Sequence, residues 1–91
     1  MLEFDWDVEN LQHIARHNVT AEEVEYVLQN PTLDFGLQDW HEEERFSEAG
    51  ATANGRILIV VTCWRGIKIR VVTAFDAPSP VCEEYRKLMV S

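Results

Sequence analysis

Five of the eight basic residues in this chain lie between positions 45 and 70. An arginine presents a planar fork of N–H donors that matches the oxygens of a phosphate. A carboxylate beside it can orient a hydroxyl group or accept its proton. Such a pair could stabilise the pentacoordinate phosphorus that forms when a 2′-oxygen attacks the adjacent phosphate without a metal. The five residues are Arg45, Arg56, Arg65, Lys68 and Arg70.

Arg70 and Glu48 carry this hypothesis, and they also allow a simpler interpretation. A carboxylate and a guanidinium on one sheet face can form a cross-strand ion pair, which stabilises a protein by at most about 1 kcal/mol. The pattern alone leaves the phosphate site and the structural ion pair both open.

The overall charge limits the partners of the chain. Sixteen acidic residues stand against eight basic ones, which gives a formal net charge of −8. Such a chain does not attract nucleic acid at long range, so any RNA site has to be a local basic patch. The acidic residues favour a basic protein partner or serve solubility.

Other reactive side chains give weaker patterns. His13 and His17 have a spacing of four, which can hold one metal on a helix, but no third ligand is evident. His41 could act as a general acid or base in its acidic surroundings, and Cys63 could be a nucleophile beside it. Cys63 is more simply explained as packing in a strand. We therefore expect no metal and no cofactor.

The chain is expected to be cytoplasmic and not bound to a membrane. The first ten residues, MLEFDWDVEN, lack the charged and apolar regions of a signal peptide. The longest apolar run, residues 57–64, is shorter than the ~20 residues of a membrane span. Cys63 and Cys82 are expected to be reduced thiols.

Two helices are predicted at the N-terminus and one at the C-terminus. The apolar residues Val8, Leu11 and Ile14 predict a helix over residues 8–17, capped by Asp7 and ended by Asn18 in a left-handed conformation. The sequence T-x-x-E from Thr20 to Glu23 predicts a capping box for a second helix that ends near Gln29. Residues 81–89 predict the last helix, with two acidic residues in its first turn.

Four strands are predicted between these helices. The segments are residues 32–37, 44–53, 56–64 and 67–75, and residues 38–43 are predicted to form a polar loop. Asn54-Gly55 and Arg65-Gly66 predict two-residue hairpin turns. The fold class is therefore α+β, a single domain over residues 1–91 with a mainly antiparallel four-stranded meander.

The two turns predict the register of the sheet and hence its faces. If residue 53 pairs with 56 and residue 64 pairs with 67, Glu48, Val61 and Arg70 form one row across the sheet. Arg45 and Arg56 do not share the face of Arg70 in this register. The opposite face, including Leu58, Val60, Thr62 and Trp64, is expected to receive the helices, with Trp6 and Trp64 as core anchors.

The order of these elements and several short motifs resemble the BrnT family of bacterial toxins, which are related to the RelE-like ribonuclease toxins. The similar motifs extend over about residues 4–86. They are Phe4-Asp5-Trp6-Asp7, Arg16-His17-Asn18-Val19, Glu22-Glu23-Val24, Asn30-Pro31, Glu44-Arg45-Phe46, Asn54-Gly55-Arg56, Ile69-Arg70-Val71-Val72-Thr73-Ala74 and Glu84-Tyr85.

This resemblance implies a RelE-like fold and a ribonuclease that inhibits translation. It also implies a cognate antitoxin of the ribbon-helix-helix type, similar to BrnA, that neutralises the toxin, and a toxin homodimer. The functional positions of the family would fall on Glu44, Arg45, Arg56 and Arg70.

The chain departs from the family pattern after its last strand. Family members usually have an arginine after the alanine of that strand, whereas this chain has Phe75 and Asp76. The loss of one cation that stabilises a transition state can lower a rate by about 10²–10³. Two hypotheses follow: an RNA-cleaving toxin, or a catalytically silent module for dimerisation or antitoxin binding.

Overall fold

The structure is a computed structural model, and it describes residues 2–40 and 43–90. It has the predicted order of two helices, four strands and a final helix, which confirms the α+β class. The elements are α1 (Val8–Ala15), α2 (Ala21–Leu28), β1 (Leu33–Trp40), β2 (Glu43–Ala51), β3 (Ile57–Arg65), β4 (Lys68–Asp76) and α3 (Ser79–Val90).

The caps of the first two helices are those that the sequence predicts. The Asp7 side chain accepts a hydrogen bond from the backbone N–H of Asn10 at the start of α1. Thr20 and Glu23 form the capping box of α2. Asn18 has φ 57° between the two helices, which is the left-handed conformation expected of it. Local residue chemistry thus decides where both helices begin.

The buried face of α1 differs from the prediction. Val8 and Leu11 are exposed, and the buried residues of the helix are Asn10 and Ile14. Both ends of the Asn10 side-chain amide are hydrogen-bonded: Nδ2 donates to the Asp5 carbonyl at 2.9 Å, and Oδ1 accepts from the Asp7 N–H at 2.8 Å. A polar residue with these hydrogen bonds is buried at little cost.

The four strands form one antiparallel sheet in the order β1-β2-β3-β4, as the meander prediction requires. The predicted polar loop over residues 38–43 is wrong at both ends, because β1 continues to Trp40 and β2 begins at Glu43. Helix α3 begins at Ser79, so Glu83 and Glu84 lie beyond its first turn. His41 lies outside the described residues.

The register between β2 and β3 differs by one residue from the predicted one. Ala51 pairs with Ile57, and the Thr52 N–H donates to the Arg56 carbonyl at 2.7 Å. The loop therefore has three residues, and Gly55 ends it with φ 88°. A left-handed glycine in the third position is typical of a three-residue hairpin loop.

The pairing of β3 with β4 also differs from the prediction. Arg65 pairs with Lys68, so the two turn residues are Gly66 and Ile67. The register then shifts between Val61 and Thr62, where β4 carries one additional residue. Because a shift of one residue exchanges the two faces of a strand, the bulge places Ala74, and not Thr73, opposite Val60.

The hydrophobic core lies between the sheet and helices α1 and α2. The prediction that Leu58 and Val60 face the helices is confirmed by their complete burial, whereas Trp64 is exposed and is not a core anchor. Trp6 packs against the core and donates its indole N–H to Glu25 at 2.7 Å. The core residues are Ile14, Val19, Val24, Val27, Leu58, Val60, Val71 and Ala74. Among the described residues, no helix is long and apolar enough to cross a membrane.

Gly50 allows α2 to approach the sheet closely. A Cβ atom at this position would lie 2.7 Å from Cγ1 of Val27 and 3.0 Å from Cγ2 of Thr32. We expect Gly50→Ala to lower the free energy of unfolding by about 1–3 kcal/mol, measured by urea denaturation, because the helix has to shift.

The double variant Gly50→Ala/Val27→Ala tests this cause. Removal of the colliding methyl groups of Val27 should make the two costs less than additive by at least about 0.5 kcal/mol. Strictly additive costs would show that contact with Val27 is not the reason.

Candidate functional site

A polar cavity of about 180 Å³ lies between α1 and strands β2, β3 and β4, at the end of the sheet that carries Arg45, Arg65 and Arg70. With ~30 Å³ for each water molecule, it has room for roughly six waters or a small anion. Among the residues that the structure describes, its wall contains three arginines, one histidine and two glutamates. Its lining residues are Glu9, Asn10, His13, Glu43, Arg45, Cys63, Arg65, Arg70, Val71 and Val72.

The register of the sheet brings the arginines together. Cys63 pairs with Arg70, and Arg65 pairs with Lys68 across the turn. Continuation of the β2–β3 register places Arg45 beside Cys63, on the same face as Arg70. The sequence-based prediction that Arg45 does not share this face is therefore wrong, because it assumed a two-residue loop at Asn54-Gly55.

Helix α1 contributes the remaining wall of the cavity. It packs against β4, and Glu9 and His13 lie one helical turn apart on the side that faces the cavity. Val71 and Val72, next to the bulge in β4, line the same cavity as Glu9 and His13. One helix and three strands thus each supply a polar side chain to the same small space.

Arg70 is oriented by the residue that caps α1. Its Nη1 and Nη2 atoms donate to the two carboxylate oxygens of Asp7 at 2.9 and 3.3 Å, and Asp5 lies 3.7 Å from Nη1. The hydrogen bonds from Arg70, followed by that from the backbone N–H of Asn10, lower the pKa of the Asp7 carboxyl. A guanidinium has five N–H donors, so Nε–H and one N–H on each terminal nitrogen remain beyond the Asp7 pair.

Glu43 joins the other two arginines. Its carboxylate accepts from Arg65 Nη1 at 2.6 Å and from Arg45 Nε at 3.2 Å. These hydrogen bonds, that from Arg65 first, hold the pKa of Glu43 below its ordinary value. The carboxylate is therefore charged at neutral pH, and it compensates part of the positive charge of the cavity.

Cys63 is buried at the floor of the cavity. Burial, and then the negative charge of Glu43, raise the pKa of its thiol. A thiol with a raised pKa is a poor nucleophile at neutral pH. Packing is therefore the better explanation of Cys63.

The structure separates the four predicted site residues. It brings Arg45 and Arg70 to one cavity, whereas Glu44 lies in a neighbouring cavity with Phe46 and Trp64. The predicted row of Glu48 with Arg70 is wrong, because Glu48 pairs with Val60 on the helix side of the sheet. There its carboxylate accepts a hydrogen bond from Thr32 at 2.6 Å.

Arg56 lies at the opposite end of the sheet, where it connects four segments of the chain. Its Nε donates to Asp76 at 2.6 Å, and its terminal nitrogens donate to the carbonyls of Asn18 and His17 at 2.6 and 3.0 Å. Glu23 lies 3.5 Å away. The guanidinium thus occupies backbone acceptors at the end of α1 that would otherwise lack partners.

Arg56→Ala is expected to lower the free energy of unfolding by about 2–3 kcal/mol, measured by urea denaturation. Only 25% of its side chain is exposed, and it donates to two backbone carbonyls as a charged group. Arg56→Lys should recover less than half of this loss, because an ammonium cannot form the planar fork.

The exposed Arg86 offers the matched control, since Arg86→Ala should change stability by less than about 0.5 kcal/mol. Equal costs for the two arginines would contradict a structural role for Arg56.

The pH dependence of stability gives a second test of this role. Arg56 lowers the pKa of Asp76 below 3.8, so this pair stabilises the fold above that pH and loses its effect below it. The difference between wild type and Arg56→Ala should shrink accordingly.

Asp76, the partner of Arg56, is distant from the cavity that Arg45, Arg65 and Arg70 line. It follows Arg70 by six residues along β4, which corresponds to roughly 20 Å. The Phe75 ring packs near His17, with centroids 6.0 Å apart. The residues that replace the family arginine thus hold the α1–α2 corner and place no negative charge in the cavity.

His13 is the residue of this site that sequence reasoning did not assign to it. The spacing of His13 and His17 suggested a metal pair, and their rings do lie 5.9 Å apart, but only His13 lines the cavity. The sequence does contain a pattern that places His13 here, because Glu9 and His13 are four residues apart and lie on one face of α1. This pattern identifies a site only when the position of α1 against β4 is known. Glu43 was missed because residues 38–43 were taken as a loop.

The structure is a small α+β fold with a cavity lined by three arginines among its described residues. Residues 6–79 match the sequence model of a family described as ribonuclease toxin, BrnT, of type II toxin-antitoxin system. The chain belongs to this family, as its sequence resemblance implied. Membership indicates a ribonuclease toxin with an antitoxin partner. Comparison with curated proteins gives no match.

Proposed function

We propose that the chain is a metal-independent endoribonuclease whose active site is the cavity lined by His13, Arg45, Arg65 and Arg70. The observation that carries this proposal is the convergence of three guanidinium groups and one imidazole on a single small cavity. The guanidinium groups supply the positive charge that a metal provides in other phosphoryl-transfer sites.

The reaction follows from the residue types. The 2′-oxygen of the RNA bonds to the adjacent phosphorus while its proton passes to His13. Arg45 and Arg70 neutralise the charge that develops on the equatorial phosphate oxygens. The bond from phosphorus to the 5′-oxygen breaks, and this oxygen takes a proton from solvent. The products are a 2′,3′-cyclic phosphate and a 5′-hydroxyl.

The physiological part of the proposal rests on family membership. The toxin would act in the cytoplasm with a RelE-like fold, cleave RNA and thereby inhibit translation. A ribbon-helix-helix antitoxin similar to BrnA would neutralise it, and two toxin chains would pair as a homodimer in the complex. None of these steps requires a cofactor bound to the toxin.

Incubation of the purified chain with a 5′-labelled RNA in the presence of EDTA tests the chemistry. We expect cleavage that is insensitive to EDTA and that leaves a 2′,3′-cyclic phosphate. An RNA with a 2′-O-methyl group at the cleavage position should resist cleavage. Loss of cleavage with EDTA, or cleavage of the 2′-O-methyl RNA, would contradict the mechanism.

One observation favours a second function, that of a catalytically silent interaction module. Each arginine of the cavity already forms an ion pair with a carboxylate: Arg70 with Asp7, and both Arg45 and Arg65 with Glu43. If phosphate does not displace these partners, the cavity is a structural ion-pair network.

Induced expression in bacteria separates the two functions. The nuclease predicts growth arrest by wild type and not by Arg70→Ala, and the module predicts normal growth with both at equal soluble levels.

A further inference from the structure

A second and larger cavity lies on the helix side of the sheet, at the end that α1 and α2 leave uncovered. It is an open groove of about 450 Å³. We call it the Trp64 groove. Its lining residues are Leu2, Leu28, Thr32, Asp34, Phe46, Glu48, Thr62, Trp64 and Ile69.

The groove exists because the strands are longer than the helices that cover them. Val60 and Val71 are buried beneath the helices, whereas further along the same face Phe46 is only partly buried and Trp64 is exposed. Trp64 is 52% exposed, and Ile67 in the adjoining turn is 80% exposed. Large apolar side chains grouped at one exposed place mark an interaction site more often than single ones do.

The charged side chains that line the groove are acidic. They are Asp34 and Glu48, and among the described residues no lysine or arginine lines the groove. Phe46 and Trp64 also border the cavity of Glu44, where Arg65 is already paired with Glu43. The Trp64 groove is thus an apolar surface with an acidic edge.

This charge discriminates among the possible occupants. RNA phosphates would be repelled by Asp34, Glu44 and Glu48. A second copy of the chain, with net charge −8, would bring the same carboxylates against them in a symmetric pair. A partner segment with apolar side chains at its centre and lysine or arginine at its edges satisfies both features.

We propose that the Trp64 groove binds a basic, amphipathic segment of the antitoxin, with Trp64 as its central anchor. This inference rests on the toxin-antitoxin function of the family, and it places the partner on the sheet face opposite to the arginine cavity. Tryptophan in a hydrophobic pocket is among the residues that most often dominate binding energy. This segment of the antitoxin would therefore not cover the arginine cavity.

Calorimetric titration of the purified chain with the protein encoded by the adjacent gene tests the proposal. We expect Trp64→Ala to weaken binding by at least about 30-fold, the range of a binding hot spot. The matched control is Tyr26→Ala, because Tyr26 is an aromatic residue that is 43% exposed and does not line the groove. This control should change the Kd less than about threefold.

The charge reversal Asp34→Lys/Glu44→Lys tests the second feature. It should weaken binding about tenfold or more at low salt, and the affinity of this variant should depend less on salt than that of wild type. Wild-type affinity that does not fall as salt rises would contradict a basic partner.

Three outcomes would overturn the proposal. They are no binding of the adjacent-gene protein to wild type, equal binding by Trp64→Ala and Tyr26→Ala, and a dimer of the chain alone that Trp64→Ala abolishes in sedimentation. Cleavage of RNA is measured separately, so the two proposals fail independently. A wild type that cannot cleave RNA but binds through Trp64 refutes the nuclease and supports the groove.

Discussion

Replacement of Arg70 by alanine is expected to lower the rate of RNA cleavage by about 10²–10³ at saturating RNA. The orientation of Arg70 is fixed, because Asp7 accepts from both of its terminal nitrogens. A cation held in place before the reaction stabilises transition-state charge without reorganisation, and loss of one such donor has an effect of this size. Single-turnover cleavage of a 5′-labelled RNA measures the change.

Two controls separate this effect from damage to the fold. Arg70→Lys keeps the charge but not the fork, so it should recover only part of the rate, about tenfold. Arg86→Ala removes an exposed arginine of α3 and should cleave as wild type does. If Arg70→Ala retained wild-type activity while its thermal unfolding was unchanged, the arginine cavity would not be the active site.

The carboxylates of the cavity bear on the same question. Asp7 and Glu43 carry lowered pKa values, so both are charged at neutral pH and compete with phosphate for the arginines. Asp7 also caps α1, which explains why the fold retains it. Glu43 has no such role in a helix cap. Its removal is the more direct way to ask whether the ion pairs suppress RNA binding.

The starts of α1 and α2 and the order of the elements could be predicted because they depend on local chemistry. Asp7 and Thr20 cap their helices with their own side chains, and Asn18 adopts the left-handed conformation that few other residues adopt. The family resemblance extended this prediction to the function class. Neither source contains the distances between strands.

The face of β2 that meets the helices could not be predicted, because it depends on a single-residue difference in register. Leu58 and Val60 of β3 face the helices as predicted. Asn54-Gly55 is compatible with a two-residue and with a three-residue loop, and the structure has the longer one. The bulge beside Thr62 has no sequence signal. The longer loop and the displacement of the second turn to Gly66 and Ile67 together exchange Glu48 for Arg45 in the row of Arg70. A predicted ion pair thereby becomes a cluster of cations.

The acidic composition of the chain is consistent with both proposed functions, because the basic and acidic side chains lie in different places. The arginines gather at one cavity, and the carboxylates Asp34 and Glu48 lie in the Trp64 groove on the other face. The proposed RNA site and the proposed antitoxin site therefore have opposite local charge. A net charge of −8 favours the second without excluding the first.

Replacement of His13 by alanine is expected to lower the cleavage rate by about 10²–10⁴, with little change in RNA affinity. His13 is the imidazole that lines the arginine cavity, and a proton carrier contributes an effect of this size to the chemical step. Single-turnover cleavage measured over a range of RNA concentrations gives both the rate and the affinity.

His17, in the turn that follows α1, gives a control with the same side chain. His17 lies beyond the cavity, beside Phe75, so His17→Ala should keep wild-type cleavage. Imidazole added to the buffer should restore part of the activity of His13→Ala, because it can enter the space that the side chain leaves, whereas it cannot repair a distorted fold. Equal activities of the two histidine variants would assign the proton transfer to another group, and Glu43, the charged carboxylate between Arg45 and Arg65, would be the one to test.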